Sequence, residues 1–404
     1  MLRNSASSRR DIEAATGVTE PLLEPISPDS IKLKPSSRAS SSQDGAMALD
    51  AEFAQPASLS RQTVFLVGTS ILLVLIALLE FAIALPMLWK IPSYHSYPRF
   101  FVIGDWGRDG DYNQSVVADS MARKAGLFHP DFIISTGDNF YEAGLVSADD
   151  RLFDSSFKDI YSHAELVNVP WHVVLGNHDY GETDSPKSGP KGCSHAAKDN
   201  DECFYGPAHQ LDVRLTARDP RWHCERLFSV PLTGGDVEIF FIDSTPIIRS
   251  YVDEVWAGNR GGVLQQSPED QIRELEARLA ASHASWKLVV GHHPIRTNHR
   301  PDYKFEDMVA DVEPLLIEHG VQAYFAGHDH NLQYLHDPDS GYHHIISGAG
   351  SKIGGGFYGD KHSPFQWPGN GFVAVEMQKK IMRIEYIGVD SDEPLFTIDI
   401  PRDV

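Results

Sequence analysis

From Tyr97 onward, apolar and polar positions follow one recurring arrangement. A short apolar run stops at a glycine, and the glycine hands over Asp, Asn or His. Arg99-Phe100-Phe101-Val102-Ile103 ends in Gly104-Asp105-Trp106-Gly107, and Asp131-Phe132-Ile133-Ile134-Ser135-Thr136 ends in Gly137-Asp138-Asn139-Phe140-Tyr141. Trp171-His172-Val173-Val174-Leu175 ends in Gly176-Asn177-His178-Asp179, and Trp286-Lys287-Leu288-Val289-Val290 ends in Gly291-His292-His293-Pro294. In the fifth case Ala323-Tyr324-Phe325-Ala326 leads into Gly327-His328-Asp329-His330-Asn331. Short apolar runs bounded by turn residues predict buried strands.

Helical patterns lie between the strands. Asn113 to Leu127 predicts a helix. Ser267-Pro268-Glu269-Asp270 predicts the start of another, with Ser267 as cap and proline at the first position. Ile272, Leu275 and Leu279 then share one face. Val237 to Asp243 predicts a further buried strand, Gly181 to about Asp219 an irregular insertion, and Gly258–Gly262 an exposed loop. The strand–helix–strand rhythm places this part of the chain in the α/β class.

Upstream the pattern is different. Residues 1–62 are rich in Ser, Pro, Ala and charge without a sustained apolar period, which predicts a disordered tail. Residues 63–89 are almost wholly apolar, with Glu80 the single charge. About 20 such residues span a bilayer, so a single transmembrane helix is expected there, ahead of a globular domain over 90–404. Arg61 on one flank against Lys90 and Arg99 on the other gives almost no charge bias for orientation.

Composition narrows the partners. A formal net charge of -21 argues against nucleic acid, which requires a basic face. Small phosphorylated substrates remain compatible where a metal supplies local positive charge. The three cysteines are too few for a disulfide scaffold; Cys193 and Cys203 are close enough in sequence to bridge, leaving Cys224 free.

Ligands of open α/β sheets gather at the carboxyl ends of strands, and that is where these blocks put their Asp, Asn, His and Tyr. In an extended chain residues two apart point the same way, so His328 and His330 can present two imidazoles together.

Gly-Asp-Trp-Gly, Gly-Asp-Asn-Phe-Tyr, Gly-Asn-His-Asp, Gly-His-His-Pro and Gly-His-Asp-His-Asn resemble the five blocks of the purple acid phosphatases, most closely the small, tartrate-resistant type. The resemblance runs from Phe100 nearly to the carboxyl end and includes Ser347-Gly348-Ala349-Gly350. It implies a metallophosphoesterase-type two-sheet β-sandwich flanked by helices in βαβ units, preceded here by the transmembrane helix. It also implies a dinuclear site: Asp105, Asp138, Tyr141 and His330 on one metal, Asp138, Asn177, His292 and His328 on the other, with Asp138 bridging. Oxygen donors with one imidazole suit ferric iron; the second site suits iron(II), zinc or manganese.

The activity implied is hydrolysis of phosphate monoesters by in-line attack of a metal-activated hydroxide. His178 would hold the phosphate or protonate the leaving oxygen, and His299 is the nearest match to a further family histidine. His293 stands where the family often has tyrosine and is given no role, and His343 and His344 are read as structural or surface residues. A phosphodiesterase or pyrophosphatase of the same fold and a non-catalytic membrane receptor are the alternatives. Family habit sets the expected topology: tail in the cytosol, catalytic domain lumenal, vacuolar or extracellular. Asn113-Gln114-Ser115 is a glycosylation sequon.

Overall fold

The computed structural model describes residues 96–181, 205–299, 305–338, 340–359, 362–391 and 393–402. The tail (1–62), the apolar run at 63–89, and Cys193 and Cys203 lie outside the described residues. No helix among the described residues is long and apolar enough to cross a membrane.

The chain opens with β1 (Arg99–Ile103), helix α1 (Gln114–Phe128), β2 (Phe132–Ser135) and β3 (Trp171–Val173), followed by a short α2 (Val213–Arg218) and β4 (Trp222–Cys224). These four strands are mutually parallel, in the order β1-β2-β3-β4. A second sheet then forms from β5 (Leu227–Leu232), β6 (Val237–Ile242), β7 (Trp286–Val290), β8 (Ala323–Ala326), β9 (Leu332–His336), β10 (His343–Ser347) and β11 (Phe365–Trp367). Within it β6, β7, β8 and β10 are parallel neighbours. Helix α3 (Pro268–Ala281) connects β6 to β7, and α4 (Glu306–Asp311) with α5 (Glu313–Glu318) connect β7 to β8. Finally β12 (Gly371–Met377), β13 (Ile381–Gly388) and β14 (Phe396–Pro401) return to the first sheet as an antiparallel meander beside β1.

Strand alternation sorts the side chains into layers. Phe100 and Val102 of β1 pack between the sheets with Val237, Ile239 and Phe241 of β6 and Leu288 and Val290 of β7. Phe101 and Ile103 face the other way, onto Val117, Met121 and Ala125 of α1. Phe240, Ile242, Val289 and Tyr324 of the second sheet meet Leu275 and Leu279 of α3 with Met308 and Leu316. Both sheets are therefore apolar on two faces, which is why their parallel strands read as unbroken apolar runs. The expected two-sheet α/β fold is present, with both sheets mixed rather than purely parallel.

Two helix starts follow from side-chain caps. Ser267 accepts a hydrogen bond from the Asp270 N–H, Pro268 fills the first position, and Leu275 and Leu279 are buried. The irregular insertion expected from Gly181 to Asp219 needs correction where it is described. Pro207–His209 forms a 3-10 turn and Val213–Arg218 a helix, because Asp212 accepts from the Arg214 N–H and Leu215 anchors one buried face.

Candidate metal centre

Five parallel strands end on one site: β1, β2 and β3 from the first sheet, β7 and β8 from the second. Each delivers its first donor from the turn that follows it, two to four residues past the strand end. Asp105, Asp138 and His328 hold left-handed backbones at φ 60°, 51° and 68°. Non-glycine residues reach this region at a cost of about 1–3 kcal/mol each, and such strain concentrates at functional sites. The preceding glycines make room. A Cβ on Gly176 would lie 2.2 Å from Asp138 Oδ1, and one on Gly137, itself at φ 97°, would lie 2.7 Å from His292 Nδ1.

The donors fall into two groups. Tyr141 Oη lies 3.1 Å from Asp105 Oδ1, 3.1 Å from Asp138 Oδ2 and 3.0 Å from His330 Nε2. His330 Nε2 is in turn 3.4 Å from Asp105 Oδ1. Asn177 Oδ1 lies 3.1 Å from His292 Nε2 and 3.0 Å from His328 Nδ1, and those two nitrogens are 3.3 Å apart. Asp138 Oδ2 belongs to both groups, because it is also 3.4 Å from His292 Nε2. His292 Nδ1–H donates to the Thr136 carbonyl at 2.8 Å, which turns the lone pair of Nε2 toward Asn177 and His328.

Hydrogen bonding alone does not account for this packing. One phenolic proton faces three acceptors at Tyr141 Oη, and an amide oxygen faces two ring nitrogens at Asn177. Electron-pair donors gathered in this way fit cations. Asp105, Asp138 and His292 also approach closely enough to share one ion. The grouping of His293 with His292 and His328 does not make it a ligand. Its Nδ1 hydrogen-bonds Ser244 Oγ at 2.8 Å and its Nε2 bonds Tyr251 Oη at 3.0 Å, so both nitrogens are engaged.

A family model described as calcineurin-like phosphoesterase matches residues 98–332. Purple acid phosphatase 17 of Arabidopsis thaliana is 37% identical over 300 residues, covering 72% of this chain and 80% of the relative. The chain belongs to the purple acid phosphatase family. Tartrate-resistant acid phosphatase type 5 of Homo sapiens is 31% identical over 334 residues, 75% of this chain and 91% of that protein. Two solved structures share the fold. One is GAP50, the anchor in the inner membrane complex of Plasmodium (21% identity, TM-score 0.56, covering 76% of this chain and 89% of that one). The other is purple acid phosphatase PPD1 from yellow lupin seeds (16% identity, TM-score 0.52, 77% and 55%). This purple acid phosphatase is thus a metal-dependent acid phosphatase, and its family implies a dinuclear centre.

Electrostatics couple the donors of the phosphatase site. Burial works against a charged Asp138, yet His292, His178 and His328 hold it well below the usual carboxylate range. Burial also opposes charge on His292, but the Asp138 carboxylate pushes it up to about 9. Burial and His292 hold His328 well below the ordinary histidine value. Burial with Asp105 and Asp138 drives the Tyr141 phenol well up. A cation held by Tyr141 and His292 would displace a proton from each, so its affinity would rise with pH.

Behind the donors stands a buried polar frame that sequence reasoning missed. Asp179, fully buried, accepts from the N–H groups of Asn139, Phe140 and Gly176, from Asn139 Nδ2 and from Gln210 Nε2. It therefore ties the Asp138 turn to the Asn177 turn. Ser244 Oγ accepts from the N–H groups of His292 and His293, fixing the third turn. The signal for Asp179 was its place in the Gly-Asn-His-Asp block; Ser244 gave none.

The remaining predicted residues separate. His178 joins the centre: its N–H donates to Asp138 Oδ1 at 2.8 Å, Nδ1 donates to the Glu142 carbonyl at 2.6 Å, and its ring lies 4.5 Å from that of Tyr141. His299, the last residue of its described segment, packs against Gly355 and makes no described contact with the donor atoms. His344 Nε2 accepts from the Ile295 N–H and His343 Nδ1 bonds Tyr334 Oη, both structural. The Asn113 amide, in the sequon, donates to Asn370 Oδ1 at 2.8 Å.

Proposed function

We propose that this phosphatase hydrolyses phosphate monoesters at two metal ions, tethered to a membrane through residues 63–89 with its tail in the cytosol. The catalytic domain would then face a lumen, a vacuole or the exterior. The observation that carries the reading is the sharing of Asp138 between two donor groups. Asp105, Asp138, Tyr141 and His330 make a hard, largely oxygen set suited to iron(III). Asp138, Asn177, His292 and His328 suit a divalent ion: iron(II), zinc or manganese. When bound, such a pair neutralises charge on a phosphoryl group and makes hydroxide available in mild acid.

The protein's own groups supply orientation and a proton. Asp105, Asp138 and His292 are buried, whereas Asn177, His178, His328 and His330 are half-buried, so substrate enters from their side. His178, held by the Glu142 carbonyl and the Tyr141 ring, is placed to orient the phosphate and protonate the leaving oxygen. His299 is the second candidate for the phosphate: it packs against Gly355, and the preceding Gly354 donates its N–H to the His330 carbonyl. The apolar run at 63–89 supports the tether through its length alone.

One experiment addresses both parts. Membranes from expressing cells, washed in alkaline carbonate, should keep their activity toward p-nitrophenyl phosphate and turn over the bis(p-nitrophenyl) ester far more slowly. Activity released by the wash would remove the tether. Equal turnover of the two esters would remove the monoesterase.

A further inference from the structure

The geometry points to Arg108 as a positioning residue for Tyr141, its guanidinium setting how strongly the Tyr141 phenolate donates to iron. The inference rests on the reading above, in which Tyr141 binds iron(III).

Arg108 is buried at 7% exposure, and its Cζ stands 3.5 Å from the centroid of the Tyr141 ring. Tyr112 also packs on it, with Arg108 Cζ 5.4 Å from the Tyr112 ring centroid. Lys352 Nζ sits 5.7 Å from the same ring. Cation and ring thus alternate in a column, Lys352–Tyr112–Arg108–Tyr141, running from the exposed Tyr112 to the buried Tyr141.

The anionic partner of Arg108 is Glu142, at 2.5 Å, whose side chain is 61% exposed and therefore screened by water. Arg108 Nε is buried without a hydrogen-bond partner among the described residues. Stacking on neutral rings offsets little of the cost of burying a guanidinium. A ring that carries phenolate charge does so far better, and the closest ring is that of the predicted ligand. The main chain needs no help from this side chain, since the Arg108 N–H donates to Gln114 Oε1, and Gln114 Nε2 in turn donates to the Ser156 carbonyl.

A cation on the ring face lowers the energy of the phenolate π electrons. It acts less on the metal, which lies beyond the oxygen and is farther from the guanidinium. Charge transfer from Tyr141 to iron(III) then requires more energy, and the phenolate stabilises the ferric state less. Neutralising Arg108 should move the visible band to longer wavelength and lower the ferric/ferrous potential. Neutralising Glu142 should do the reverse to a smaller extent, because water already screens much of its charge and the guanidinium loses only a partial counter-charge.

The test compares iron-loaded full-length protein as wild type, Arg108→Met, Arg108→Lys and Glu142→Gln, at matched iron content. The expected result is a band at longer wavelength and a lower potential for Arg108→Met, a return toward wild type for Arg108→Lys, and smaller, opposite shifts for Glu142→Gln. If Arg108→Met fails to fold, Glu142→Gln decides, since that side chain is largely exposed. A wild-type band that stays in place in Arg108→Met or in Glu142→Gln overturns the role of Arg108. Absence of any band in the iron-loaded wild type overturns the Tyr141–iron reading itself, so the two failures are distinct.

Discussion

Asp138→Asn is expected to lower turnover of p-nitrophenyl phosphate on the order of 10³-fold, since metal-held charge is worth several kcal/mol in the transition state and each 1.4 kcal/mol is tenfold. Asp138 Oδ2 faces Tyr141, His330's cluster and His292, while Oδ1 accepts from the His178 N–H. The substitution replaces one of these oxygens by an NH₂ group, which donates and cannot bind a cation. The fold should survive. Asn is nearly isosteric, and it tolerates the left-handed backbone at φ 51° better than most residues. Circular dichroism should therefore match wild type while metal content falls below two per chain. Unchanged turnover would leave a non-catalytic scaffold as the better description.

Asp179→Ala is expected to cost about 3–5 kcal/mol of stability, the range for removing one member of a buried charged network. The N–H groups of Asn139, Phe140 and Gly176 and the Gln210 amide would lose their acceptor in a dry interior, whereas the Asn139 amide keeps the Val174 carbonyl. Burial and Asp138 push the Asp179 carboxyl up, whereas these donors favour its charged form. Asp179→Asn keeps one oxygen and should fall between Ala and wild type. Urea unfolding checks the order, and metal affinity should fall with it because the Asp138 and Asn177 turns share this residue. A loss of less than about 1 kcal/mol for Ala would mean that the frame is redundant.

Much of this was legible because chemistry here sits at strand ends. Apolar runs such as Phe100–Ile103 and Leu288–Val290 show where parallel strands are buried on both faces, and a glycine marks where each stops. The residue after that glycine has little freedom, so Asp105, Asp138, Asn177, His292 and His328 could be read as one site. The weaker elements had no such signal. Helix α2 is buried at Leu215 alone, and β5 is half-buried except at the exposed Pro231, so neither carries a clear period. The meander β12–β14 joins the first sheet through antiparallel register with β1, a pairing across more than two hundred residues that no local pattern encodes.

Residues that act through others were the hardest to read. Arg108 directly follows the first block and Asp179 closes the third, yet their roles depend on contacts with Tyr141, Glu142 and Gln210, which only the folded chain brings together. His293 shows the converse. It has no role from the sequence and lies beside His292 and His328 in the fold, but Ser244 and Tyr251 occupy both ring nitrogens.

The most direct test of the two-cation centre is metal analysis of the purified, oxidised catalytic domain together with its visible spectrum. Two metal ions per chain, iron among them, with a broad absorption that disappears in Tyr141→Phe, is the result expected here. A single ion per chain, or a metal-replete protein with no such absorption, would contradict it.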